Sequence, residues 1–321
     1  MAKKAKTPLP REVSKRRLAR WEQERRRRRI TLAIGAAVIA VIVVVIVYGI
    51  YATMVAPGRE RVATVGGTHL TFSDFVTTLR LSPLTQSSAR DALTATINYE
   101  IVRQGAAQLS LAVTQAEIDA ELRQTFLGEG EEEISEEEFQ NRYAYVLEQL
   151  GVTKGQYEDA VTTQLLAVKI EELQKNQVPE VGALIPHVHV GVVEVYTEPQ
   201  AQQVIVRLED GEDLAAVAAE YNGGDMGWVP QGMMSLEIEQ FAFAQQSGNA
   251  TDYFLRTEGY TVVQVLEPAQ DMPLADEDTR QLLQDNALAY WFEVKWEELV
   301  TWEVDDERLA DIFLRAMDQL G

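Results

Sequence analysis

Few side chains in this sequence can do covalent or metal chemistry. There are three histidines and no cysteine, so a disulfide, a thiolate nucleophile and a lipid-bearing N-terminal cysteine are excluded. Two of the histidines, His187 and His189, stand two apart in the valine-rich run VHVGVVEV. On a strand that spacing puts both imidazoles on one face, where a pair can begin a metal site. No third ligand stands at a matching spacing, so neither a metal nor a cofactor is expected. Met233 and Met234 read as core or groove filler. The run EGEEEISEEE holds seven Glu in ten residues. It lacks the spaced Asp or Asn ligands and the glycine of a calcium loop, and reads as a solvated loop leading into a helix.

The elements around these residues divide by charge. Residues 1–29 hold 13 Lys and Arg against three Glu, a charge of +10, so the other 292 residues of a chain with net charge −21 carry −31. Between the two lies Ile30–Met54, 25 residues without a charge. As a helix it is about 37 Å long, enough to cross a hydrocarbon core of about 30 Å. A cleavable signal has a shorter apolar core, so this segment reads as an uncleaved signal anchor. The basic flank keeps the N-terminus in the cytoplasm and sets everything from about Arg59 outside. That tail lacks base-reading or stacking residues, and the remainder is acidic, so no nucleic-acid partner is expected.

Past the Ala56-Pro57-Gly58 break, Val62 to Gly67 reads as a strand and turn, with Thr71 and Asp74 opening a helix. Helical periodicity then runs to Val178. Thr114-x-x-Glu117, Ser135-x-x-Glu138 and Thr153-x-x-Gln156 each precede an apolar periodic run and predict three capping boxes. After Pro179, VHVGVVEV reads as a strand, residues 198–221 as two short helices split at Gly211, and NGGDMGW as a glycine-rich loop. SLEIEQFAFAQ reads as a helix and GYTVVQVLE as a closing strand. Residues 275–321 read as helical and carry Trp291, Trp296 and Trp302.

The pieces VEVYTEPQA, VIVRLEDGEDLAAVAAEY, GGDMGW, QGMMSLEIEQFAFAQQSGNAT and TEGYTVVQV, in that order, resemble a parvulin-type peptidyl-prolyl isomerase domain. The capped helices before them resemble the N-terminal domain of the SurA, PrsA and PpiD group of exported folding factors. The resemblance implies an α+β protein with five parts. These are a cytoplasmic tail (1–29), a transmembrane anchor (30–56), a helical SurA-like chaperone domain (60–180), a parvulin-like domain (185–268), and a C-terminal helix (275–321) completing the chaperone domain. It also implies an apolar proline groove, with Met226, Met234 and Phe243 at matching positions and Ile238 where an aromatic residue is usual. The family's two facing histidines are replaced. Their positions fall at Val192 and Thr261, while His187 and His189 are out of register. The loop bearing a further Cys or Asp is nearly absent, since Tyr221-Asn222 runs straight into Gly223-Gly224-Asp225.

The expected function is that of a single-pass membrane chaperone which binds unfolded or proline-containing exported polypeptides, with a parvulin domain weak or inactive as a catalyst. Its expected neighbours are the membrane and the secretion translocon. An active isomerase that dispenses with the histidines and a scaffold for the secretion machinery remain the alternatives.

Overall fold

The computed structural model describes residues 43–44, 57–82, 88–127, 133–246 and 250–320. The expected tail and membrane anchor lie outside them, apart from Val43 and Val44. Among the described residues no helix is long and apolar enough to cross a membrane. Residues 61–321 form one compact unit.

It opens with a hairpin, β1 (Arg61–Val65) and β2 (Thr68–Thr71). The turn residues Gly66 and Gly67 have φ of +53° and +84°, the left-handed geometry that a two-residue hairpin turn demands. A side chain on Gly66 would also collide with Gln104, whose amide oxygen lies 1.8 Å from the position of a Cβ there. The Gln104 amide nitrogen instead donates to Val65 O at 2.8 Å. Helices α1 (Phe72–Leu81), α2 (Ala89–Gln108), α3 (Gln115–Thr125), α4 (Glu136–Leu150) and α5 (Lys154–Gln177) follow. The boxes at Thr114 and Thr153 are reciprocal. The one at Ser135 is half made: its hydroxyl accepts from Glu138 N, but the Glu138 carboxylate binds Arg142 one turn on.

Next come β3 (Leu184–Val195), α6 (Glu198–Glu209), α7 (Leu214–Ala218), β4 (Asn222–Pro230), α8 (Leu236–Ala244), β5 (Thr251–Arg256) and β6 (Gly259–Pro273). The four strands form one antiparallel sheet in the order β4-β3-β6-β5. Helices α6 and α7 cover one face and α8 the other. Two of these strands differ from the sequence reading. NGGDMGW is not a loop but most of β4. A Cβ on Gly223 would sit 2.1 Å from Val192 O, so glycine lets two backbones approach. The polar TDYFLR forms the edge strand β5, which gains its ladder only by pairing with β6.

The chain ends with α9 (Glu277–Leu299), β7 (Val300–Glu303) and α10 (Asp306–Asp318). The expected single C-terminal helix is thus two helices around a short strand. β7 pairs with β1 and completes a sheet in the order β2-β1-β7. Four residues are too few to show a strand period in a Trp-rich helical context, but β1 is buried along four of its five residues and needs a partner for its second edge.

One core joins the beginning and the end of this unit. It contains Val62, Phe75, Leu93, Ile97 and Ile101 together with Trp291, Leu309 and Ile312. A second, smaller core forms among α3, α4 and α5, where the Phe126 ring sits 5.9 Å from Phe139 and 5.5 Å from Tyr143. In the first core, α2 and α9 meet with no room to spare. A Cβ on Gly105 would lie 2.4 Å from the Trp291 ring.

Gly105→Ala therefore inverts the usual expectation. In an open helix the change stabilises by roughly 1 kcal/mol; here it should lower the melting temperature. Trp291→Ala should cost about 3–5 kcal/mol through the void it leaves, read by denaturant unfolding. A Gly105→Ala protein more stable than the parent would refute this packing.

Candidate functional site

The face of the four-stranded sheet beneath α8 carries the residues expected to form a groove. Val188, Val190 and Val192 alternate along β3, and Val263 and Val265 along β6. Val192 pairs with Val263, and Glu194 with Thr261. Val192 and Thr261 are therefore diagonal neighbours on adjacent strands, about 7 Å apart. The structure brings the two positions together, but they offer a methyl-bearing wall and one hydroxyl.

Of the expected groove residues, Met234 and Phe243 pack on the same cluster as Val192. Ile238 is buried within that cluster at 6% exposure, so it shapes the wall and has little surface left for a ligand. Met226 stands apart on β4, outside the cluster and 59% exposed.

A polar row crosses the sheet where the apolar face ends. Asn222, Glu194, Thr261 and Phe254 are successive partners on β4, β3, β6 and β5. The Asn222 amide donates to the Glu194 carboxylate, and Thr261 is 8% exposed. All three polar residues line a cavity of about 750 Å³ at this end of the sheet, with Tyr196, Tyr260 and Arg256 among its other walls. Sequence reasoning missed this row. Its signal was present: Glu194 breaks the every-second-residue valine series of β3.

The two β3 histidines do not converge. The β3–β6 register shifts between them. His187 is buried, with Nδ1 2.9 Å from Ile185 O on its own strand. His189 Nδ1 lies 3.1 Å from Glu267 Oε1 and its Nε2 lies 2.8 Å from Asp225 Oδ1. Its ring packs on Trp228 at 5.3 Å. Partial burial opposes the charge of His189, but the Glu267 and Asp225 carboxylates prevail and raise its pKa above the ordinary 6.5. Asp225 in turn is held below its usual range, first by the Gly227 backbone N–H and then by His189. The imidazole is a tie among β3, β4 and β6.

Glu239 on α8 is another group that sequence did not single out. It is 2% exposed, and its Oε1 accepts from Gly232 N at 2.5 Å and Met234 N at 3.3 Å. Burial pushes its carboxyl up, against the pull of those N–H groups. Tyr290 on α9 is near enough that burial and the Glu239 charge together push its phenol up to about 12. The geometry nevertheless leaves Glu239 Oε2 without a hydrogen-bond partner. The Met234 loop is also held to α9 by the Asn286 amide, which donates to Gly232 O at 2.6 Å.

These features define a class: a helical body closed by its own C-terminus, carrying a small antiparallel α+β domain with an apolar face. Comparison with known proteins names its parts. Residues 23–171 match the family described as SurA-like N-terminal domain, and residues 194–267 match the PPIC-type PPIASE domain. The chain thus joins a SurA-like N-terminal domain to a parvulin domain of the PPIC type. It is 24% identical over 259 residues to the foldase protein PrsA of Geobacillus sp. (strain WCH70), covering 71% of this chain and 87% of that protein. It is 33% identical over 138 residues to the chaperone SurA of Pseudomonas putida, covering 39% of this chain and 31% of that one. Among solved structures, PrsA of Bacillus anthracis aligns with a TM-score of 0.32 at 16% identity, covering 71% of this chain and 96% of the other.

The His189 tie gives a pH dependence of stability with a definite sign. Its folded pKa is raised, so its contribution is complete below about pH 6.5 and is lost as pH rises through the raised value. The melting temperature of the parvulin domain should fall across that window in the parent and change less in His189→Gln. An identical pH slope in both proteins would show that the tie is not made.

Proposed function

We propose that this chain is a membrane-anchored, extracytoplasmic folding factor that binds unfolded exported polypeptides and isomerises prolyl bonds weakly or not at all. In this reading residues 60–180 and 275–321 form the chaperone body, residues 185–268 the parvulin domain, and Ile30–Met54 the anchor that keeps both near the site of export, beside the translocon. The SurA and PrsA names of its relatives support the role, and the charge asymmetry around Ile30–Met54 supports the anchoring.

The observation that carries the catalytic half is the pair Val192 and Thr261, diagonal neighbours on the groove face with no imidazole at either. Rotation about a prolyl peptide bond has a barrier near that of other amides, about 18–20 kcal/mol. Lowering it requires groups that favour the twisted amide over the planar one. An apolar wall binds both forms alike. Thr261 supplies one hydroxyl, and Glu194 is engaged by Asn222.

The test compares kcat/KM of the full chain with that of an active parvulin on a proline tetrapeptide, beside suppression of aggregation of a denatured client. Positioned polar groups often contribute about 10²–10⁴-fold, and a deficit of that order is expected while suppression persists. A kcat/KM within about tenfold of the active enzyme would overturn the catalytic half, and absent suppression would overturn the chaperone half.

A further inference from the structure

Where the parvulin domain meets the helical body, α8 and β5 face α2 and α9 across a groove of about 590 Å³. Its walls include Leu236 and Leu255 from the parvulin side and Phe292 and Trp296 from α9. Leu255 is 71% exposed, an apolar side chain that none of the described residues covers. Phe292 and Trp296 stand four residues apart and present one stripe of α9. Glu293 and Glu297, also four apart, form the stripe beside it. Both glutamates are exposed and line the groove, as does Glu237 on α8. Against these three carboxylates the groove has, among the described residues, one cation, Arg256.

The acidic pair has a structural task that does not consume its charge. Glu293 Oε2 accepts from Leu236 N at 2.6 Å, satisfying a free N–H at the start of α8. Glu297 Oε2 accepts from the Gln240 amide at 2.6 Å. Neither contact brings a positive charge, so both carboxylates keep their own beside an apolar floor. On the α2 wall, Asn98 keeps an unpartnered side-chain carbonyl below the surface, an acceptor that a turn of the amide presents to an incoming N–H.

We infer that this groove takes an extended segment of client polypeptide in which Lys or Arg alternates with apolar residues. The inference rests on the folding-factor reading and adds the class of client. Apolar side chains gain contact with Leu255, Phe292 and Trp296, while basic ones reach the carboxylate rim. Charge complementarity selects this occupant over a second copy of the chain, whose residues beyond the basic tail carry −31 and are repelled by the same rim.

Three labelled peptides test it on the full chain in detergent: Lys alternating with Leu and Phe, Glu in place of the Lys, and Lys alternating with Gly. The first should bind about tenfold more tightly than the second, and more weakly as salt rises. The third should bind weakly, for want of apolar contact. Glu293→Gln with Glu297→Gln keeps both hydrogen-bond acceptors and removes both charges. It should lose about tenfold in affinity for the first peptide with an unchanged melting temperature. Leu255→Ser, at an exposed position, should weaken the first two peptides alike.

Equal binding of the Lys and Glu peptides, or parental affinity in the double variant, would overturn the groove. If aggregation suppression persists in that case, only the client class falls. If the parent binds no peptide and suppresses no aggregation, the folding-factor reading falls with it. Self-association that strengthens in the double variant puts a second copy in the groove and overturns the assignment.

Discussion

The contact of Trp291 with the bare backbone of Gly105 is the constraint on which the helical body depends. It admits no side chain on α2 and no smaller ring on α9 without either a clash or a void. Around it, one core is assembled from residues 62–106, from Ile170, and from residues 291–316. A segment of about 120 residues separates the last two contributions, and it must leave and return without pulling the core apart. The structure solves this at a single point. Gly182 N donates to Leu274 O and Leu274 N to Ala183 O, each at 2.9 Å. Immediately beyond, Leu184 pairs with Pro273. The parvulin sheet is thus spliced in through two adjacent strands, and its length leaves the geometry of the body unaffected.

That splice also explains how the two parts share α9. One side of the helix, through Trp291, closes the body. Other residues along it hold the parvulin domain: Asn286 on the Met234 loop, Glu293 on the start of α8 and Glu297 on Gln240. The placement of the apolar face of the parvulin domain is therefore set by the same helix that completes the core of the helical body.

What the sequence revealed and what it hid divide by range. Caps are local, and the residues at Thr71, Thr114 and Thr153 declared their helices because hydroxyl, N–H and the Asp, Glu or Gln partner lie within one turn. The alternating valines of β3 declared a strand for the same reason. β4 was hidden because its glycines look like loop residues until a neighbouring backbone is placed 2.1 Å from where a Cβ would be. β7 was hidden because four residues show no period and their role is to finish an edge set some 240 residues earlier. The positions Val192 and Thr261 came from resemblance. The row that joins Thr261 to Glu194 and Asn222 is cross-strand register, which no single segment of sequence contains. The same is true of Glu239, whose burial depends on α9 lying against its helix.

The return of the chain to its own beginning has a consequence for synthesis. A polypeptide made from its N-terminus presents the apolar stripe of α2 long before Trp291, Leu309 and Ile312 exist to cover it. The four-stranded sheet has no such wait, because both of its central strands and their helices lie within residues 184–273. Domains generally fold as units during synthesis, so the strand ladder in the interior of the chain can be finished while its outer body is still open. Until its last turns emerge, this protein is itself an incomplete chain with an uncovered apolar face, in the condition of the polypeptides it is proposed to hold.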